Sequence, residues 1–281
     1  MQVNPMSSAG GAIIEGIDLS EPLPENIQSD LMAAFIKYSV LVIKKQNISE
    51  EDQFRFCEIM GGLGVRGKPL GMRENDLDSE YEGAIHLVTN LTEDGKALGS
   101  FGDGEVWFHH DGIFKEIPDA ATVLYALAVT STGGETVFAN MYKAYEKLDP
   151  ELKCKIASLN GLNVYDYGSR GRVDLNQDYS KLNQCVHPLI IRHPKTKKRA
   201  LYVNPLMTAR IVGLSERESD ELLELLFQYK DDAELLFQHK WEVGDVVIMD
   251  NQSLTHARND FPAGEPRMLR RTLVKGVPIS R

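Results

Sequence analysis

Short apolar runs separated by turn residues dominate the chain from about residue 85 onward. Gly, Pro, Asn or Asp bounds each run, which is typical of strands. The predicted strands are Ile85–Val88, Thr122–Thr130, Thr136–Ala139, Val186–Arg192, Ala200–Val203, Val246–Asp250 and Arg271–Lys275. Many short strands with few helices outside them predict a mainly β fold with flanking helices. The expected core is a double-stranded β-helix of the jelly-roll, cupin-like kind.

The N-terminal third mixes strands with helices. Asn26–Tyr38 carries apolar residues at helical spacing and predicts an amphipathic helix. A capping-box pattern starts at Ser49, with Asp52 three positions on, and predicts a second helix that the Gly61-Gly62 pair ends. Further helices are predicted at Met141–Leu148, Pro150–Leu159 and Ser215–Lys230, and further strands at Ala12–Leu19 and Ser39–Ile43.

No repeat, low-complexity tract or linker divides the chain, so residues 1–281 are expected to form a single domain. Residues 168–183 are polar and lack periodicity. Such a segment is either a lid over a binding site or an ordinary surface insertion, and the sequence supports both interpretations equally.

Composition excludes several classes of protein. The 281 residues carry a net charge of −10, which argues against nucleic-acid binding because that needs a basic surface. No apolar run is long enough to span a membrane, and the first residues lack a secretory signal pattern. Three scattered cysteines argue against a disulfide scaffold, so we expect a cytoplasmic protein.

Candidate metal ligands come from two distant segments. In extended backbone His109 and Asp111 point the same way, and His256 follows the strand Val246–Asp250. Two histidines and one carboxylate on one face of a metal leave its other face open, as in non-haem Fe(II) oxygenases. From spacing alone, ordinary structural histidines explain the pattern equally well. We expect structural roles for the other histidines, His86, His110, His187, His193 and His239.

A cluster of arginines follows these segments. Arg267 and Arg271 lie 11 and 15 residues after His256 and share one face of a predicted strand with Leu269. A guanidinium near an open metal face is suited to bidentate capture of a carboxylate. Arg270 points to the other face, where we expect a solvated edge strand with salt bridges.

Four sequence blocks together resemble the taurine dioxygenase/2,4-dichlorophenoxyacetate dioxygenase (TauD/TfdA) family of Fe(II)- and 2-oxoglutarate-dependent oxygenases. The order and spacing of the blocks match that family from about Gly11 to near the C-terminus. The blocks are Phe108-His109-His110-Asp111, Gly133-Gly134-Glu135-Thr136-Val137-Phe138-Ala139-Asn140, Trp241-Glu242-Val243-Gly244-Asp245 continued by Asp250-Asn251 and His256, and the pair Arg267 and Arg271.

The resemblance implies a role for each matching position. His109, Asp111 and His256 would hold Fe(II), and O2 and 2-oxoglutarate would be co-substrates. Arg267, assisted by Thr136, would bind the distal carboxylate of 2-oxoglutarate. Arg271 would anchor an anionic substrate or the other carboxylate of the co-substrate. Homo-oligomers are common in the family.

Two positions depart from the family pattern. Phe108 stands where the family has Trp, and Gly112 follows the ligand Asp where larger residues are common. Both are expected to border the substrate pocket, so they bear on the identity of the substrate more than on the iron chemistry.

The predicted function is hydroxylation or desaturation of an unactivated C–H bond in a small anionic metabolite or natural-product intermediate, with release of succinate and CO2. Asp111 fills the position that related halogenases leave vacant for halide, which argues against halogenation. The alternative is a divalent-metal hydrolase or lyase on a cupin-like barrel, since the same ligands also hold zinc or manganese. That alternative leaves Arg267 and Thr136 unexplained. A non-catalytic binding module is disfavoured because all three ligand types are present.

Overall fold

The computed structural model describes residues 1–64, 83–166 and 171–281. Its helices are α1 (Glu25–Tyr38), α2 (Glu50–Met60), α3 (Met141–Lys147), α4 (Pro150–Ile156) and α5 (Glu216–Leu226), which a 3₁₀ turn over Phe227–Asp231 follows. Its strands are β1 (Gln2–Pro5), β2 (Ala12–Glu15), β3 (Val40–Ile43), β4 (His86–Thr89), β5 (Thr92–Glu93), β6 (Lys96–Ala97), β7 (Val106–His109), β8 (Ala121–Ala128), β9 (Thr136–Asn140), β10 (Asn160–Tyr165), β11 (Asn183–Pro188), β12 (Ile190–Arg192), β13 (Arg199–Leu201), β14 (Thr208–Ile211), β15 (Leu236–His239), β16 (Val246–Asp250), β17 (Leu254–Arg258) and β18 (Met268–Val274).

The larger sheet has seven strands in the order β1-β2-β3-β16-β8-β18-β4. Neighbouring strands pair antiparallel except β2 and β3, which are parallel. Every residue of β3 and β16 is buried. Burial on both faces of these strands explains why the sequence shows unbroken apolar runs there instead of alternation.

The smaller sheet has four antiparallel strands in the order β15-β9-β17-β7. Phe138 and Phe237 of this sheet pack in one core cluster with Val42, Leu124 and Val247 of the larger sheet. Two largely antiparallel sheets packed face to face confirm the predicted mainly β, jelly-roll fold.

Two helices cover the outer face of the larger sheet. Leu31 and Phe35 of α1 and Phe56 and Met60 of α2 pack in a second cluster with Ile248 of β16. The helices in the described ranges lack the combination of length and apolar character that a membrane span requires.

The predicted start and end of α2 are confirmed. Ser49 Oγ accepts a hydrogen bond from the Asp52 amide at 3.1 Å, and Asp52 Oδ2 accepts one from the Ser49 amide at 2.9 Å. Gly61, with φ of 143°, ends the helix. The predicted strand at Ala12–Leu19 was too long, because Gly16 adopts φ of +76° and turns the chain after Glu15.

The candidate lid at 168–183 lies partly outside the described residues. Residues 171–182 contain neither helix nor strand. Four of their side chains pack against a small cluster on β10 and β14, namely Val173, Leu175, Tyr179 and Leu182. This anchoring fits a surface segment, and the role as a lid stays a prediction.

Candidate metal centre and co-substrate site

Three predicted ligands converge at one edge of the smaller sheet. His256 of β17 lies directly opposite His109, the last residue of β7. β7 ends at His109, so Asp111 is delivered by a turn and not by strand alternation as the sequence analysis assumed. Ligand atoms of all three residues lie within 4.8 Å of one another. The structure therefore brings together the three residues that the spacing predicted, although the local geometry at Asp111 differs.

Hydrogen bonds hold the cluster in a metal-binding orientation. Nδ1 of His109 lies 2.8 Å from the Trp107 carbonyl oxygen, so Nδ1–H donates and Nε2 keeps its lone pair. Nε2 lies 3.8 Å from Asp111 Oδ1. The hydroxyl of Thr122 donates to Asp111 Oδ2 at 2.6 Å, and Arg271 Nη1 donates to Oδ1 at 3.1 Å.

Burial and charge set the protonation states of the cluster. Burial lowers the pKa of His109, and it lowers the pKa of His256 to about 3 with a further contribution from His109. Burial opposes ionisation of Asp111, but the charge of Arg271 and the two histidines outweigh it and hold the pKa of that carboxyl well below its usual range. Neutral imidazoles and an ionised carboxylate are the forms that ligate a metal.

A cavity adjoins the cluster, and Arg267, Leu269 and Arg271 line it together, as the shared strand face predicted. Arg267 is 3% exposed, and its Nη2 donates to the Gly134 carbonyl at 3.1 Å. Among the described residues nothing accepts a hydrogen bond from its buried Nη1. Burial and the charge of Arg258 lower the pKa of Arg267 to about 9, so it is still cationic at neutral pH.

An unpaired buried cation is costly unless an anion completes it. The Arg267 guanidinium therefore indicates an anionic ligand in this cavity. Thr136 lies in the same wall and accepts a hydrogen bond from Trp241 Nε1 at 3.0 Å, which leaves its own hydroxyl hydrogen available. Gly134 adopts φ of +68°, and a Cβ there would lie 3.1 Å from Arg267 Nε. Glycine at position 134 therefore leaves space for the Arg267 side chain.

Arg271 lies between two cavities. It lines the cavity just described and a second one, whose wall also includes Phe114, Tyr165 and Met207. Its Nε is buried and has no partner among the described residues. Arg271 can therefore still donate to a ligand while Nη1 holds Asp111.

The structure separates the two positions that were expected to border the substrate pocket. Gly112 lines the second cavity, where φ of +73° and a Cβ position 2.7 Å from Asp119 Oδ2 require glycine. Phe108 does not line either cavity. Its ring packs edge-on against Tyr229 at 6.0 Å, on the opposite face of the smaller sheet. Neighbouring strand residues point to opposite faces, so Phe108 faces away from His109, and the expectation that it borders the substrate pocket stays a prediction.

Histidines outside the cluster have structural contacts. His187 bonds to the Lys115 carbonyl at 2.8 Å, His193 to Asp250 at 3.0 Å and His239 to Asp245 at 2.9 Å. His110 points away from its neighbours and contacts Asn204 and Tyr202. His86 lines the second cavity next to Arg271.

The expectation that Arg270 lies on a solvated edge strand is wrong. β18 lies between β8 and β4, and Arg270 is 7% exposed. Its Nε donates to Gln53 Oε1 at 2.7 Å, and its Nη2 donates to the carbonyls of Ile48 and Ser49 at 2.9 and 2.7 Å. Strand order is a property of the whole sheet, which the local pattern around Arg270 does not contain.

Sequence analysis missed three residues that shape the site. Thr122 orients Asp111, and no local signal marks it. Arg258 lies two residues after His256, so its side chain shares the inward face of β17. That spacing was a usable signal. Phe101, which stacks near His109 at 6.1 Å between ring centroids, comes from an irregular segment without periodicity.

Comparison with known proteins gives the family. The profile of the taurine catabolism dioxygenase TauD, TfdA family matches residues 2–273. The chain belongs to this family. It is 31% identical to pentalenolactone F synthase of Streptomyces avermitilis over 95% of this chain and 91% of that protein. It is 27% identical to the alpha-ketoglutarate-dependent 2,4-dichlorophenoxyacetate dioxygenase of Cupriavidus pinatubonensis over 95% of each.

Solved structures of the family share the fold. AAD-2 in complex with Mn(II) and N-oxalylglycine superposes with a TM-score of 0.81 at 26% identity, over 100% of this chain and 98% of that one. A putative alpha-ketoglutarate-dependent taurine dioxygenase from Burkholderia xenovorans gives a TM-score of 0.80 at 28% identity, over 99% and 90%. The protein is thus a non-haem Fe(II)- and 2-oxoglutarate-dependent dioxygenase. The hydrolase or lyase alternative gains no support.

Proposed function

We propose that this enzyme hydroxylates or desaturates an unactivated C–H bond of a small anionic metabolite or natural-product intermediate. The observation that carries the proposal is one cavity in which a His-Asp-His cluster faces the unpaired guanidinium of Arg267. A metal and an anionic co-substrate fit these two features side by side.

The cavity contains a group of metal ligands and a separate group of residues that bind 2-oxoglutarate. His109, Asp111 and His256 would hold Fe(II), and the bound metal would supply O2 activation coupled to decarboxylation of 2-oxoglutarate and oxidation of the substrate. Arg267 and the hydroxyl of Thr136 bind the distal carboxylate of 2-oxoglutarate. The aliphatic wall around them excludes water from the charge pair, which strengthens it.

Arg271 anchors the anionic group of the substrate. Its position between the two cavities supports this role, because a substrate in the second cavity would extend from Arg271 along Phe114, Tyr165 and Met207. Those walls suit an apolar body. The family relatives named for 2,4-dichlorophenoxyacetate and (S)-phenoxypropionate act on molecules that combine a carboxylate with an apolar ring.

An anaerobic titration tests the co-substrate site. Fe(II) followed by 2-oxoglutarate should produce a weak visible charge-transfer band in the wild type. The band should be lost in Asp111→Ala and should need far more 2-oxoglutarate in Arg267→Met. A wild type that binds Fe(II) without a band contradicts the proposal.

A second experiment tests the substrate class. Aryloxy carboxylates and their methyl esters are compared as accelerators of succinate formation, and the free acids should be the active partners. Arg271→Met should abolish this preference, whereas Arg270→Met, which changes the next residue on the opposite face, should keep it. Equal acceleration by acids and esters contradicts an anionic substrate.

A further inference from the structure

Arg258 is a buried arginine at the metal centre, and its guanidinium donates several hydrogen bonds to one backbone segment. It is 7% exposed and lines the cavity that holds Arg267. Its Nη1 donates to the Phe101 carbonyl at 2.6 Å, and Nη2 donates to the carbonyls of Gly102 and Gly104 at 2.7 and 2.5 Å. Nε also reaches the Gly104 carbonyl at 3.1 Å. We call residues 101–104 the latched segment.

The latched segment forms a wall of the metal centre. Phe101 lies near-parallel to the ring of His109, with 27° between the planes. The same Phe101 lines both the co-substrate cavity and the second cavity. Phe101 has φ of +63°, a conformation that is strained for a non-glycine residue and persists only where surrounding contacts enforce it.

Arg258 is well placed to enforce this conformation. It lies on the same strand as His256, opposite Val106, where the pairing of β17 with β7 is irregular. The irregularity lets the guanidinium reach the chain just before β7 begins. Four charge-assisted hydrogen bonds to three carbonyls hold a segment that itself lacks helix or strand.

We propose that Arg258 is a positioning residue that fixes the latched segment so that Phe101 covers His109 and separates the two cavities. The consequence for the reaction rests on the proposed function: the wall keeps water from the metal and couples 2-oxoglutarate consumption to substrate oxidation. The hydrogen bonds of Arg258 to the latched segment do not depend on that function.

Hydrogen exchange of the apo-protein tests the latch. In Arg258→Met the amides of residues 99–106 should exchange at least tenfold faster than in the wild type, and Arg258→Lys should be intermediate. Arg270→Met is the matched control, because it removes a buried arginine that also bonds backbone carbonyls but holds Ile48 and Ser49 instead. It should leave residues 99–106 unchanged. Unchanged exchange in Arg258→Met, or acceleration spread evenly over both sheets, overturns the proposal.

Two further readouts separate positioning from general stabilisation. The visible band of the Fe(II)–2-oxoglutarate complex should shift or weaken in Arg258→Met, and succinate formation without substrate should rise at least threefold. Arg258→Lys should restore part of both, and Arg270→Met should match the wild type. A band and a succinate rate equal to wild type in Arg258→Met overturn the positioning role. Absence of the band in the wild type defeats the proposed function instead, and the exchange result still decides the latch.

Discussion

The two faces of β18 carry arginines with different hydrogen-bonding environments. On the inner face, Arg267, just before the strand, and Arg271 each retain a buried N–H group without a partner among the described residues. On the outer face, Arg270 bonds Gln53 and two backbone carbonyls and lies 4.9 Å from the centre of the Tyr125 ring.

This difference shows how to distinguish binding from structural arginines that lie within one short stretch of chain. An unsatisfied guanidinium in a cavity is stabilised fully only by a ligand, whereas a satisfied one stabilises the fold. Arg258 combines the two situations, since it lines the cavity and also donates to backbone carbonyls. We therefore assign it a role in positioning the wall.

The largest expected effect is on metal binding. Asp111→Ala removes the ionised ligand, and we expect the Kd for Mn(II) to rise by at least about 100-fold, since loss even of an outer-shell partner costs 10–100-fold. Electron paramagnetic resonance of free Mn(II) measures this. Asp119→Asn, which alters a carboxyl in the neighbouring cavity outside the cluster, should keep the Kd within about threefold. Similar losses in both variants would contradict the assignment.

The inner face should govern co-substrate affinity without supporting the fold. Arg267→Met should raise the Kd of 2-oxoglutarate by about 100-fold, because a charge-assisted bidentate pair contributes about 3 kcal/mol. The free energy of unfolding in urea should stay equal or increase, since a buried cation with an unpaired donor is removed. A clear loss of stability would show that Arg267, like Arg270, stabilises the fold.

The outer face should behave in the opposite way. Arg270→Met leaves Gln53 and two carbonyls without their donor, so we expect the free energy of unfolding to fall by about 2–3 kcal/mol. The Kd of 2-oxoglutarate, measured at a temperature where the variant is folded, should stay within about twofold. A large change in that Kd would remove the contrast between the faces.

The cluster should also give the apo-protein a pH-dependent stability. The pKa of folded His256 is about 3, below its usual 6.5, so the unfolded chain takes up this proton first. The neutral, buried His256 therefore contributes to the free energy of unfolding above pH 6.5. This contribution is lost as pH falls toward 3, at up to about 1.4 kcal/mol per pH unit. Urea titrations at pH values from 7.5 to 4.5 give the free energy of unfolding at each pH. This free energy should fall less steeply with decreasing pH in His256→Gln than in wild type. Parallel slopes would contradict the burial argument.

The smallest expected effect concerns Thr136. Thr136→Val keeps the shape of the side chain but removes the hydroxyl, and a neutral hydrogen bond contributes about 1 kcal/mol. The Kd of 2-oxoglutarate should therefore rise about fivefold. An unchanged Kd would leave Arg267 as sole partner of the distal carboxylate.

The sequence by itself determined the local features of this protein. Apolar runs predicted the strands, Ser49 and Asp52 predicted a helix start, and the shared face of Arg267, Leu269 and Arg271 was readable from a period of two. The motif blocks predicted the residues of the His-Asp-His cluster.

Only the tertiary structure decided which elements are neighbours. Pairing of β17 with β7 places His256 opposite His109, and insertion of β18 between β8 and β4 buries Arg270. Arg258 acquired its role from a segment more than 150 residues earlier in the chain. Periodicity specifies which side a residue faces, but strand order and long-range contacts depend on the packing of the whole chain, which no local pattern encodes.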